Sequence, residues 1–271
     1  MKNFIGAIVF ILALFLVFNM TVVTVTDLNT GNVVSFAKAG YFYADEDGKS
    51  IFLGTILNNR LKVSRIGYKD KTSSLPLTLF KRTANIQIEE DDYQGLVTQL
   101  SNWSANLNRY KYTFSTSLIQ NGKTEIVEFD SRKIGNDSYF VTKNTNNGVL
   151  LSTNTVISIG NNMYISNNGE ALKGPLSEED KQAFISKNIT FLSLDDVISG
   201  SFIADEPQEI NFNKNIIEIV WSGANTATIN IDKYGNISEI DFSQVVPGKT
   251  FKAILKIDTV NVEKISVSQD G

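Results

Sequence analysis

Residues 91–114 read DDYQGLVTQLSNWSANLNRYKYTF, and within this stretch the hydrophobic period changes once. Tyr93, Leu96, Val97, Leu100, Trp103 and Leu107 fall at i, i+3, i+4, i+7, i+10 and i+14, which places them on one face of a helix over Asp91–Leu107. Asp91 stands as its N-cap with Gln94 as capping-box partner, and the acidic run Glu89–Asp92 marks a boundary and complements the helix dipole. From Arg109 the period drops to two, so that Tyr110, Tyr112 and Phe114 share one face of a strand. A helix here feeds an antiparallel sheet.

The two-residue period persists downstream. Strand candidates lie at TEIVEFDSRKI (124–134), SYFVTKN (138–144), GVLLSTN (148–154), TVISIG (155–160) and NMYISNN (162–168), with Asn-Gly, Gly-Asn and Asn-Asn turns between them. Two short helices interrupt this meander: Ser177 caps residues 178–187 with Asp180 three positions on, and Ser193 caps 194–200 with Asp196 in the same place. In the final third, Ile217, Ile219 and Trp221 share a face, as do Ala227, Ile229 and Ile231, then Ser238, Ile240 and Phe242, then Phe251, Ala253, Leu255 and Ile257. Glu218, Asn230, Asp232, Glu239 and Lys256 occupy the opposite faces, so one side packs and the other meets water.

Upstream, residues 22–80 break into six short strands, TVVTVTD, VVSFAKA, YFYADEDGKS, IFLGTI, RLKVSRIGYKD and LPLTLFKR, punctuated by Asn, Asp and Gly. No 3.6 period is sustained there, and the pattern suits a small β-sandwich. Before it, Phe4–Val25 forms one uncharged apolar run behind Met1-Lys2-Asn3. At about 1.5 Å per residue this run is long enough to cross a hydrocarbon core of about 30 Å as a helix. The tidy small-x-small site nearby, Ala37-Lys38-Ala39, lies inside the sandwich, so the run reads as a retained signal-anchor with Lys2 on the cytoplasmic side. The alternative is a secreted protein released by signal cleavage.

The 271 residues carry a net charge of −4, with no basic excess to track a nucleic-acid backbone. The absence of cysteine removes a disulfide framework, a thiol nucleophile and a lipobox anchor. The absence of histidine removes the commonest general base near neutral pH, so no Ser-His-Asp or Cys-His site exists. Acidic pairs are the remaining catalytic material, but Glu178-Glu179, Asp195-Asp196 and Glu89–Asp92 all sit at expected helix starts, where capping explains them. Asp45-Glu46-Asp47-Gly48 lacks the spacing and distal glutamate of a calcium loop and reads as a β-turn. No cofactor or metal is expected, and the chain reads as a binding protein rather than an enzyme.

Within residues 22–83, Asp27, Thr30-Gly31, Ala37, Asp45 to Gly48, and Gly67-Tyr68 resemble, in order, the turn residues of the carboxypeptidase-regulatory-like, prealbumin-like module. The stretch between Ala37 and Asp45 is shorter than in that family, which implies a curtailed strand. The order of elements from Asp91 to about Val267 resembles the LolA/LppX lipoprotein-carrier superfamily, ending in TATINIDKYGNISEIDF (226–242) and a closing strand. That resemblance implies a curved, incompletely closed sheet wrapped on helices around an apolar cavity for acyl chains. If the sheet curves in this way, Tyr112, Phe114, Phe129, Phe140, Trp221, Phe242 and Phe251 line the cavity; otherwise they fill an ordinary core.

The expected architecture is therefore mainly β: a transmembrane helix at 1–21, a prealbumin-like sandwich at 22–85, and at 91–271 a half-barrel antiparallel sheet with one long and two short helices. The expected role is a single-pass, extracytoplasmic cell-envelope protein holding a lipid, lipoprotein or other hydrophobic ligand. A structural or adhesion module with a protein or glycan partner is the alternative.

Overall fold

Met20–Asp27 forms β1, and its β-branched residues suit a strand flanked on both edges. It pairs antiparallel with β4 (Lys49–Leu53) and parallel with β7 (Arg82–Ile88), giving a sheet of order β4-β1-β7. A second sheet has the order β3-β2-β5-β6, built from β2 (Lys38–Ala39), β3 (Phe42–Tyr43), β5 (Arg60–Ser64) and β6 (Lys71–Ser74). The computed structural model describes residues 5–6, 9, 20–53, 59–75, 82–160, 162–167, 170–172, 193–202 and 205–266.

These two sheets belong to the first of two compact units, residues 1–96 with 212–217 and 231–236. Val23, Val25, Ala37, Leu61, Val63 and Ile88 form its fully buried core. The turn residues do the work their chemistry suggests. Asp27 Oδ1 accepts from the amides of Asn29 and Thr30, and Asp45 Oδ1 accepts from those of Asp47 and Lys49. Gly48 (φ +68°) backs directly onto the Val25 carbonyl, where a Cβ would lie 2.8 Å from that oxygen. At Gly67 (φ +87°) a Cβ would meet the Phe212 ring at 2.6 Å, and Phe212 packs on Tyr68 with ring centroids 5.2 Å apart.

Two expectations change here. VVSFAKA does not form one strand: Val33 makes a single bridge to Thr26, and pairing resumes only at Lys38–Ala39. Between them Ser35 donates to the Glu46 carbonyl at 2.7 Å and Phe36 turns to φ +59°, which breaks the ladder. The curtailed strand implied beside Ala37 is the two-residue β3. At the N-terminus, Met20 and Thr21 lie opposite Leu53 and Phe52, so the last residues assigned to the membrane helix at 1–21 belong to the sheet. Most of that helix falls outside the described residues, among which no helix is long and apolar enough to cross a membrane.

The second unit, residues 97–211, 218–230 and 237–271, is built on long antiparallel strands. In sequence order these are β8 (Arg109–Gln120), β9 (Lys123–Ile134), β10 (Asp137–Asn146), β11 (Val149–Ile159), β12 (Asn162–Asn167), β13 (Glu170–Leu172), β14 (Glu209–Asn213), β15 (Ile216–Val220), β16 (Thr226–Ile231), β17 (Ile237–Val246) and β18 (Lys249–Asp258). They form one curved sheet of order β13-β12-β11-β10-β9-β8-β18-β17-β16-β15-β14. Asn121-Gly122 and Asn147-Gly148 all take positive φ, as two-residue hairpins of the type I′ class require. The stretches 148–154 and 155–160 are one strand, β11, because Thr153–Ile157 continue the ladder with β10 unbroken.

Helix α1 spans Tyr93–Ala105. Its cap is Asp92 rather than Asp91: Asp92 Oδ1 accepts from the Gly95 amide at 2.8 Å, and the Asp92 carbonyl takes the first helical bond, from Leu96. Leu107 lies past the helix end. Helix α2 spans Leu194–Ser201, and Ser193 with Asp196 forms the expected capping box. The helix expected behind Ser177 lies outside the described residues.

Gly48→Ala adds both a left-handed backbone cost and a collision with backbone, whereas Gly31 (φ +72°) has nothing within 4 Å of a built Cβ. Denaturant unfolding should show Gly48→Ala destabilised by about 2–3 kcal/mol and Gly31→Ala by about 1 kcal/mol. Equal losses in the two variants would contradict the backbone contact at Gly48.

Candidate functional site: the helix-bearing face of the large sheet

Strand alternation sorts the second unit's side chains into two faces. Tyr110, Tyr112 and Phe114 of β8 point one way, and the Leu194 backbone at the start of α2 hydrogen-bonds the Tyr110 hydroxyl. The face that carries these residues is therefore the helix-bearing, inner face. Across it the register aligns rows of side chains. Ile240, Leu255, Phe114, Phe129, Thr142 and Asn154 make one row over β17, β18, β8, β9, β10 and β11. Ile257, Tyr112, Ser131, Phe140, Val156 and Ile165 make the next.

The candidate aromatic residues fall on this inner surface in two connected groups. Phe114, Phe129 and Phe140 form a chain with centroids 5.7 Å apart at each step. Phe242 bridges Trp221 at 6.3 Å and Phe251 at 6.2 Å, both edge-on. Ala253 and Leu255 lie between the two groups. Tyr112 stacks on Tyr110 at 6.1 Å, and burial drives its phenol pKa up while the Ser131 hydroxyl opposes the shift. Tyr112 and Phe140 are fully buried, Phe114, Phe129, Trp221 and Phe242 nearly so, and Phe251 is half-buried. The Trp221 indole donates to the Asp205 carbonyl at 3.0 Å, which leaves its ring as an apolar surface.

Other residues of this face were not legible as site residues. Ser104 replaces Trp103 as the buried helix position, because its hydroxyl reaches Asp195 Oδ1 at 2.9 Å while Ser101 reaches the same oxygen at 3.1 Å. Asp195 thus ties α1 to α2 instead of capping a helix end. On β10 and β11, Thr142 and Asn154 are buried in mid-row, and Asn144 donates to Ser152 at 2.9 Å one row on. The signal was a polar residue in the buried phase of a strand, as in Phe140-x-Thr142-x-Asn144, but only the register shows which phase is buried.

The opposite face carries a groove of about 440 Å³ lined by Thr113, Ser115, Glu128, Asp130, Val141, Lys143, Ile254 and Lys256 together with atoms of Phe114 and Phe129. Its charge is mixed, and Val141 and Ile254 give it an apolar portion. Arg132 holds Glu263 at 3.0 Å and lies over the Tyr139 ring at 5.1 Å. Burial, and then the Glu239 carboxylate, raise the Asp241 carboxyl above its usual range, with Lys256 opposing. Among the described residues no group of three or more Asp and Glu side chains is placed to hold a metal ion.

No family model matches the chain, and no curated protein sequence matches it. The resemblance of the first unit to the carboxypeptidase-regulatory-like module therefore stands on its turn residues. Solved structures align with the chain at low scores. The lipoprotein LppX of Mycobacterium tuberculosis aligns over 62% of this chain and 96% of its own, at 15% identity and a TM-score of 0.29. A LolA superfamily protein of Nitrosomonas europaea aligns over 65% and 96%, at 7% identity and 0.26. A DUF1329 family protein of Desulfovibrio piger aligns over 64% and 92%, at 12% identity and 0.23.

The raised Asp241 carboxyl has a pH signature. Its native state holds the proton more tightly than the unfolded chain, so the stability it contributes falls as pH rises from its ordinary value of 3.8 through the raised one. Asp241→Asn should therefore raise the melting temperature at pH 7 and leave it unchanged at pH 3, where the carboxyl is protonated in both states. A gain of equal size at both pH values would rule out the electrostatic cause.

Proposed function

We propose that this chain is a membrane-tethered, extracytoplasmic binding protein that holds a lipid or other hydrophobic ligand against the inner face of its large sheet. The observation that carries this reading is the apolar inner face of the curved sheet, where Phe114, Phe129 and Phe140 form one aromatic chain and Trp221, Phe242 and Phe251 another. Six central strands of about ten residues present a face of roughly 29 by 33 Å, at about 4.8 Å between strands and 3.3 Å per residue. An aromatic-rich face of this extent accommodates a hydrocarbon chain between sheet and helices. The low-scoring structural likenesses lend no weight to this; the reading rests on the sheet.

Binding rather than catalysis follows from the residue types. Neither histidine nor cysteine is present, and the buried side chains of the inner face are aromatic, aliphatic or neutral polar.

The first unit is polarised in a way that suits a tether. The chain enters it at Met20, beside Leu53, and the turn after Gly40 packs against Phe52 at the same end. Tyr41, Phe42 and Leu53 are exposed there, at 89, 48 and 41%, and Arg82 lies opposite Thr21. At the other end of β1 lie Asp27, Asp45, Asp47 and Glu89, with Lys49 beside Asp47 and Lys69 bonded to Glu89. Exposed aromatic side chains at the end where the chain enters match the interfacial belt of a lipid layer.

Cis-parinaric acid added to the purified full chain should bind saturably and accept energy from tryptophan, and native fatty acids should displace it. Uptake that rises linearly with detergent, with no saturation, would sink the carrier reading. N-terminal sequencing of the membrane fraction should find the apolar run intact, and a mature start after Val17 would overturn the tether.

A further inference from the structure

Thr142 and Asn154 face each other across β10 and β11, 7 and 8% exposed, and neither Thr142 Oγ1 nor Asn154 Oδ1 has a hydrogen-bond partner. A buried hydroxyl or amide left unpaired costs about 1–3 kcal/mol, and two such oxygens in adjacent positions double that cost. Neighbouring polar groups do not relieve them. Asn144 and Ser152 are engaged with each other, and Phe129 flanks Thr142 on β9. Toward the other row lie Phe140, Val156 and Ile165, all buried and all apolar.

The pair therefore sits where an apolar strip meets a polar one, which is the pattern of an amphiphile site. Charge narrows the chemistry. On the inner face of β9–β12 the charged side chains among the described residues are Lys123 and Glu125, both exposed near the hairpin end, and Lys133, whose ammonium lies 6.0 Å from the Tyr110 ring centroid. Lys133 is four residues from Phe129 along β9, about 13 Å at the rise of a strand. A buried carboxylate or phosphate at Thr142 would find no countercharge and would be strongly disfavoured. An uncharged hydroxyl or primary amide fits both oxygens: it donates to Asn154 Oδ1 and accepts from Thr142 Oγ1.

We infer that Thr142 and Asn154 bind the hydroxyl or amide group of an uncharged amphiphile whose hydrocarbon lies along Phe129, Phe140, Val156 and Ile165. The assignment rests on the hydrophobic-ligand reading above and adds the class of head group.

The test uses the full chain and four probes of one chain length: oleyl alcohol, oleamide, oleate and 1-octadecene. The wild type should bind the alcohol and amide about 10-fold more tightly than octadecene, which corresponds to about 1.4 kcal/mol, with oleate weaker than either. Thr142→Val and Asn154→Leu should each erase most of that preference while leaving octadecene affinity unchanged, and Thr142→Ser should retain it. Ligand-free melting temperatures of the Val and Leu variants should equal or exceed the wild type, since each removes an unpaired oxygen. Octadecene binding as tight as alcohol binding, a preference for oleate, or variants that keep the full preference would overturn the inference and leave the hydrophobic site standing. Failure of all four probes to bind saturably would remove both.

Discussion

Ten consecutive residue pairs join β8 to β18, from Gln120 opposite Lys249 to Lys111 opposite Asp258, and the large sheet depends on this one ladder. It brings together segments more than a hundred residues apart in the chain and sets the meander β8–β13 beside the meander β14–β18. Register is the constraint that matters. A slip of one residue would put Leu255 and Ile257 on the face opposite Tyr112 and Phe114 and expose one of the two pairs. Burial of that set against α1 and α2 fixes the alignment, and the alignment in turn fixes which rows run across the whole sheet.

From that register the chemistry of the inner face follows. The row through Phe140, Val156 and Ile165 is apolar, the row through Phe114 and Phe129 ends in Thr142 and Asn154, and the next row ends in Asn144 and Ser152. Polarity thus rises from Phe140 through Thr142 to Asn144 on β10 and from Val156 through Asn154 to Ser152 on β11. An ordinary core would have placed aliphatic residues at Thr142 and Asn154, because an unpaired buried oxygen is a net loss in a closed interior. A face that receives a ligand has a use for such groups, since they are satisfied only when the ligand is present.

Much of this fold was legible in the sequence wherever the determining interaction is local. The change of period between Leu107 and Tyr110 located the junction of α1 and β8, the Asn-Gly pairs located hairpins, and Ser193 with Asp196 located α2. Local signals also misled where two neighbours offered the same chemistry: Asp91 and Asp92 are alike in sequence, and only the reach to the Gly95 amide makes Asp92 the cap. VVSFAKA has the composition of a strand, but Ser35 bonding to the Glu46 carbonyl and the turn at Phe36 interrupt it. The aromatic members of the inner face could be named because period two marks them. Thr142, Asn154 and Ser104 could not, because their burial depends on long-range pairing that leaves no trace in neighbouring residues.

The most direct measurement is a crystal structure of the full chain purified from the cells that make it, inspected at the inner face of the large sheet. The account predicts non-protein density running along Phe129, Phe140 and Val156 and ending within hydrogen-bond distance of Thr142 Oγ1 and Asn154 Oδ1. An inner face close-packed by protein side chains, with both oxygens hydrogen-bonded to the protein itself, would contradict it.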